Sequence, residues 1–360
     1  MTEPVVIAKA SGLEVLASLA PRIGFQPTNS VVLVGIQPPN GRLGVTMRLD
    51  LDLIAAAPAT EWLDRHLAPL VLSEAAAVFV ARFGRPGHRL DGNDRAFWDF
   101  IAAVEHHLPV LECWDATDGS YGEFDPAKHQ PVGPVFDLAD LQSTRTAAAY
   151  VSQGVRARES RDQLGRIELA PPAKRKLTLA AQRRAEDRAL LLADHEYCQW
   201  LVRGLETWQV AHHRLTEQPG TAIEPPALGR IAALITRAHG RDAVLATAFI
   251  SPPGTATRIL LGLGGKDETL NPLASPGVDE DLCLAALDLI RQLLSHQMPS
   301  RRGPGYTLGA AWYWWLGDGA AADVWATAAL ETDSPPQLAA LVSALLRHGI
   351  FPGAVTSAGC

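Results

Sequence analysis

The chain has 360 residues, 47% of them hydrophobic, and a formal net charge of -7. That length supports two domains with cores of their own, and the apolar content excludes a disordered chain. The acidic balance argues against a protein whose main task is gripping phosphate backbones, and the longest apolar window, residues 308–330, is interrupted by Gly317, Asp318, Gly319 and Asp323, which argues against a membrane span.

Residues 13–19 read as a short amphipathic helix closed by Pro21. Residues 30–36 form an apolar run, and residues 42–53 alternate without a break. Leu43, Val45, Met47, Leu49, Leu51 and Leu53 fall on one face, and Arg42, Gly44, Thr46, Arg48, Asp50 and Asp52 on the other. A period of two marks a half-buried strand, and Asn40-Gly41 in the connection makes the pair a β-hairpin. Thr60 caps a helix reaching about residue 72, and residues 76–83 form a second apolar strand. A helix over 93–107, a strand over 109–114 and a weaker one over 121–124 follow. This order predicts an open mixed sheet covered by helices.

Pro131, Gly133 and Pro134 predict a loop over 128–141, after which strand signals stop. The domain boundary is placed there, with an α/β sheet domain over 1–135 and a helical domain over 141–360. Predicted helices lie at 144–151, from a capping box at Ser160 and Gln163 to Pro171, at 174–215 with a candidate interruption at Gly204, and at 226–239. Residues 242–250 read as helix in preference to strand, and 262–277 as a flexible insertion. Helices at 278–298, 306–316, 320–330 and 337–347 complete the chain. The expected fold class is α+β, an N-terminal mixed sheet with covering helices followed by an all-helical domain. Ala322, Ala326 and Ala329 permit close helix approach, so repeat-like helical hairpins are an alternative to a plain bundle.

Arg48, Asp50 and Asp52 would project from one polar strand face, close enough to share a cation or act as acid and base. Cross-strand ion pairs on a solvated face are the simpler reading of the same residues. Asn29 and Ser30 stand where loops at strand ends line ligand crevices, and Arg241-Asp242 form either an ion pair or a ligand contact. Trp312, Trp315 and Trp325 are candidate partner anchors, with core packing as the other reading. Basic residues at Lys174, Arg175, Lys176, Arg183 and Arg184 alternate with Glu186, Asp187, Asp194 and Glu196, the pattern of a solvated helix face.

The tested catalytic motifs fail. There is no GxGxxG, Walker or GxSxG pattern, and His195-Glu196 meets Gln199 where a zincin has its second histidine. Cys113, Cys198, Cys283 and Cys360 include no CxxC, so neither metal nor cofactor is assigned, and no residue is given a catalytic role. With no export signal evident after the acidic Met1-Thr2-Glu3 start, a cytoplasmic chain is expected. The leading expectation is a non-catalytic interaction or regulatory module with a protein partner, without membrane or nucleic acid. The alternative is an enzyme or a small-ligand or metal binder using the polar face of residues 42–53.

Residues 19–36 with Gly24, Phe25, Pro27 and Ser30, residues 48–51, residues 146–161 with Gly154, Ser160 and Arg161, Arg241-Asp242 and residues 311–341 form a combination of segments. Together they resemble the bacterial, mainly actinobacterial, family catalogued as domain of unknown function 4192. Members of that family often carry a cysteine pair and an aromatic-rich stretch after the third strand, where this chain has residues 118–129 without cysteine. The resemblance implies the fold and a cytoplasmic bacterial setting, and transfers no catalytic residue.

Overall fold

The computed structural model describes residues 11–39, 41–56, 60–85, 87–91, 93–248, 254–263 and 279–352. The chain divides into two compact units, the first running to Leu164 and taking in His348–Ile350, the second running from Gly165 to Arg347. The division therefore falls beyond the Pro131–Pro134 stretch where composition changes.

The first unit contains α1 (Gly12–Ile23), β1 (Ser30–Gln37), β2 (Arg42–Asp50), α2 (Leu51–Ala56), α3 (Thr60–Leu72) and β3 (Ala77–Phe83). It continues with α4 (Arg95–Glu105), β4 (Val110–Thr117), β5 (Ser120–Asp125), β6 (Gln130–Asp137) and α5 (Arg145–Ser152). The strands form one mixed sheet in the order β2-β1-β3-β4-β5-β6. Only β3 and β4 run parallel, with α4 in their crossover. β1 lies inside the sheet, next to the edge strand β2, and its Val31 to Val34 run is wholly buried, as a strand covered on both faces requires. Val31, Leu33, Val78 and Val80 pack against Leu67, Leu70, Phe97 and Ile101 from α3 and α4. On the opposite face Val32, Val34, Phe79 and Ala81 meet Val15, Leu16 and Leu19 of α1.

The hairpin forms as expected, but its alternation does not run unbroken. A register shift between Val34 and Ile36 carries Leu43 to the α1 face, while Val45, Met47 and Leu49 face α3 and α4. A bulge adds one residue to one strand and so switches sides. The strand stops at Asp50, and α2 takes over, leaving Leu53 51% exposed instead of buried. β6 occupies the stretch expected to be a loop. It is an edge strand and exposed throughout, a position where Pro131 and Pro134 are tolerated. Pro21 does not close α1, which ends at Gly24, a left-handed cap (φ 82°) whose N–H reaches Ala20 O at 2.9 Å.

The second unit is helical, with α6 (Pro172–Ala189), α7 (Asp194–Glu217), α8 (Pro225–Ile235), α9 (Ala238–Ala246) and α10 (Thr255–Leu260). α11 (Glu280–His296), α12 (Gly303–Trp315), α13 (Gly319–Leu330) and α14 (Gln337–Arg347) follow. The capping-box spacing at Ser160 opens only a 3-10 turn, Arg161–Gly165, and the Gln163 side chain donates to Glu159 at 3.1 Å. The expected helix over 174–215 is two helices. It breaks at residues 190–193, where Glu196 reaches back to the Ala193 N–H at 3.4 Å, and it passes through Gly204 uninterrupted. Gly204 is a contact glycine: an added Cβ would lie 3.2 Å from Leu234 of α8. Residues 242–246 are helical, whereas Ile250 and most of the expected insertion at 262–277 lie outside the described residues. Among the described residues no helix is long and apolar enough to cross a membrane.

His212 of α7 is buried, stacks on Trp208 at 5.8 Å, and its Nε2 lies 2.7 Å from the Leu282 carbonyl. Burial lowers its pKa below the usual 6.5, against the opposing pull of that hydrogen bond and of Asp279, and neighbouring His213 lowers it further. The folded state therefore binds fewer protons than the unfolded state just below 6.5. This contribution to stability is complete above 6.5 and is lost as pH falls through the lower folded value. Urea unfolding of the second unit between about pH 7.5 and pH 5.5 is expected to show declining stability, and His212→Gln to flatten that decline.

Candidate functional site

The carboxyl ends of the parallel pair β3 and β4 lie at the sheet edge where α/β proteins commonly place ligands. A buried polar network occupies that edge. Arg82, 5% exposed, donates from Nη1 to Asp115 Oδ1 at 2.8 Å and to the His88 carbonyl at 3.1 Å, and from Nη2 to Asp94 Oδ2 at 3.2 Å. Asp115 also accepts from Thr117 Oγ1 at 2.9 Å and from the Leu90 N–H at 3.2 Å. Asp94 meanwhile caps α4 by accepting from the Phe97 N–H at 3.3 Å. Two opposite charges interrupting apolar strands were the sequence signal for this network, and it was not read as one.

The expected row of three charges resolves into two separate pairs. Arg48 and Asp50 join at 2.6 Å on β2, and the Arg48 guanidinium lies 5.5 Å from the centre of the Phe25 ring. Asp52 sits in α2, where it accepts from Asn29 Nδ2 at 3.0 Å and pairs with Arg85. Asn29, at a left-handed φ of 46°, also accepts from Arg85 Nε at 2.9 Å. Ser30 is wholly buried and stands opposite Asp50 in the β1/β2 ladder. Arg85 is the member of this cluster that sequence reasoning missed.

Arg241 and Asp242 lie half-buried on α9, in the second unit. Burial pushes the Asp242 carboxyl upward, with Arg241 and His239 pulling the other way. The three candidate anchor tryptophans are interior. Trp312 stacks on Trp208 at 5.8 Å, Trp325 meets Tyr306 and Tyr313 edge-on at 5.4 and 5.3 Å, and Trp315 is buried beside them in sequence. Their size fills the helical core, so they do not present a surface to a partner.

Among the described residues no group of three or more His, Cys, Asp or Glu side chains is arranged to hold a metal ion. Cys113 and Cys283 are buried thiols, and burial pushes both pKa values up to about 12. Cys198 is exposed on α7. Brief treatment with iodoacetamide is expected to alkylate Cys198 in the folded chain and to reach Cys113 and Cys283 only in denaturant, as read by peptide mass spectrometry.

The second unit carries a groove of about 910 Å³. Its walls are α6 and α7, which each pack on α8 and have little direct contact, so α8 forms the floor between them. Small residues line its depth, Ala181 and Ala185 from α6, Gly204 and Ala211 from α7, with Trp200 and a 71% exposed Val210 higher on the α7 wall. A spacing of four in α6 and of seven in α7 places each pair of small residues on one helix face. Arg184, Arg188, Arg203, Arg214 and Arg230 also line it, against Glu196, Glu206 and Glu224. Among the described residues none of the five arginines forms an ion pair; Arg184 bonds only the Ala180 carbonyl of its own helix at 3.2 Å. Sequence reasoning took the α6 portion of this surface as solvated and passed over the α7 and α8 portions. The legible signal was arginine and small residues sharing one helical face.

An α/β sheet unit followed by a helical unit with an arginine-lined groove is the class these features define. The chain belongs to the family described as Domain of unknown function (DUF4192), whose model matches residues 14–353, nearly its whole length. Comparison with curated proteins and with solved structures gives no match.

Proposed function

We propose that the chain is a non-catalytic interaction module whose second unit docks a partner protein in the groove between α6, α7 and α8. The observation that carries this reading is the groove itself, an apolar trough of about 910 Å³ bordered by five arginines without ion pairs among the described residues. Apolar surface left in water is an unspent source of association free energy, and arginine is the cation best suited to interface pairing. The charges of the sheet edge differ in kind, since Arg48, Asp50, Asp52, Arg82, Arg85 and Asp115 already hold partners within the first unit. A ligand or metal site on residues 42–53 has correspondingly less support, with Asp52 off the strand. The exposed free thiol of Cys198 suits a reducing, cytoplasmic setting.

Photo-crosslinking in growing cells of the source organism tests the module. A photoreactive amino acid at position 210 is compared with one at position 95, an exposed site on α4. The expected result is a protein captured from position 210 alone, which, once purified, binds the wild type and loses about tenfold or more of its affinity for Val210→Glu. Identical capture from both positions, or equal affinity for both chains, would overturn the reading.

A further inference from the structure

We propose that the occupant of the groove is an acidic amphipathic α-helix supplied by the partner; the proposal rests on the docking reading above and names the partner's chemistry. Shape is the first argument. α6 and α7 are held apart by α8, and a helix with side chains is about 10 Å across, or roughly 400 Å³ per turn. The groove volume of about 910 Å³ therefore takes about two turns of helix. Its depth is lined by Ala181, Ala185, Gly204 and Ala211. Such small residues leave the bulk of the contact to the other side, so the occupant brings the large apolar residues, at helical spacing, and packs them as ridges into the gap.

Charge is the second argument. Arg184 and Arg188 stand on one wall, Arg203 and Arg214 on the other, and Arg230 rises from the floor helix. A helix lying between them meets cations on both flanks, which selects Asp and Glu beside its apolar stripe. The contrast is local, because the chain as a whole carries a net charge of -7. Three glutamates share the lining, so the excess positive charge is modest and too small to hold a run of phosphates against salt. The arginines are also spread along the walls instead of converging on one point, as a small anion would need. A helix with spaced carboxylates fits both facts.

The test is selection from a phage-displayed library of helical peptides of about 14 residues, four turns. The baits are the wild type, Arg188→Glu/Arg203→Glu and Val210→Glu. All three altered side chains are exposed, and circular dichroism verifies that the variants fold. The expected winners on the wild type carry apolar residues at i, i+3, i+4 and i+7 with net negative charge. Synthesised singly, they should bind the arginine variant about tenfold or more weakly. Winners that Val210→Glu abolishes but that show no acidic bias would keep the docking groove and overturn the acidic helix. No winners, or winners indifferent to all the variants, would overturn both. Two parallel measurements assign the groove elsewhere and also overturn the proposal: oligothymidylate binding that the arginine variant loses, or a dimer in sedimentation that Val210→Glu dissociates.

Discussion

Asp115→Ala is expected to cost the first unit about 3–5 kcal/mol. The carboxylate is 4% exposed and accepts three hydrogen bonds, from Arg82, Thr117 and the Leu90 N–H. Its removal strands a buried guanidinium that keeps only Asp94 at 3.2 Å as a charged partner. A cation left in an apolar interior costs more than the pair contributes when intact, because the desolvation of Arg82 remains while the attraction that offset it disappears. The companion Arg82→Met/Asp115→Leu double variant is therefore expected to recover most of the loss, within about 2 kcal/mol of wild type. Urea unfolding of the wild type and the two variants measures both statements. Equal destabilisation in single and double variants would mean that loop anchoring, not charge burial, dominates. Hydrogen exchange at Leu90 should rise in both, since that amide loses its acceptor in each.

Gly229→Val is expected to destabilise the second unit by about 3 kcal/mol or more, the upper end of overpacking costs. Gly229 lies on α8 where α6 crosses it. An added Cβ would stand 2.6 Å from both the Ala181 Cβ and the Thr178 carbonyl oxygen and 2.8 Å from the Gln182 backbone nitrogen. Two of those three atoms are main chain, so no rotamer change relieves the clash and α6 itself must move. The midpoint of thermal unfolding should drop by about 10 °C. Arg230→Ala, one residue further along and exposed, should leave it within about 0.5 kcal/mol of wild type. Because α6 is one wall of the groove, Gly229→Val should also weaken any groove ligand, whereas Gly220→Ala, in the loop before α8, tests that loop and not the wall.

The parts of the fold legible in the sequence were those governed by local period. The alternation over 42–53 marked the β1–β2 hairpin, and the helix expected over 144–151 is α5, with Thr144 outside it as the cap, its Oγ1 accepting from the Ala147 N–H at 3.1 Å. The parts that were hidden depend on partners remote in sequence. β6 has a loop's composition and is a strand only because β5 supplies its hydrogen bonds. The break at 190–193 contains neither glycine nor proline, and it arises where α6 and α7 both turn to pack on α8. Leu53 satisfied the strand period yet ended on the exposed side of α2. For the sites, the residue types at 48, 50 and 52 were legible but their pairing was not, since Asn29 and Arg85 join Asp52 from elsewhere in the chain. The groove was least legible, because its arginines come from three helices and each alone reads as an ordinary surface charge.

The same β6 that escaped notice bears on how the chain behaves when crowded. An open sheet invites a second molecule to continue it along the outermost strand, the first step toward filaments. Here that strand has Pro131 and Pro134, which offer no N–H in any direction, and between them Gly133 at φ 75°, which bends the backbone away from a flat template. An approaching strand meets an interrupted row of donors, and the exposed Val132, Val135 and Phe136 side chains gain no continuous ladder to reinforce them. The residues that disguise β6 as a loop thus make it a terminus for the sheet, so that the chain can expose apolar side chains along this edge without seeding its own polymerisation.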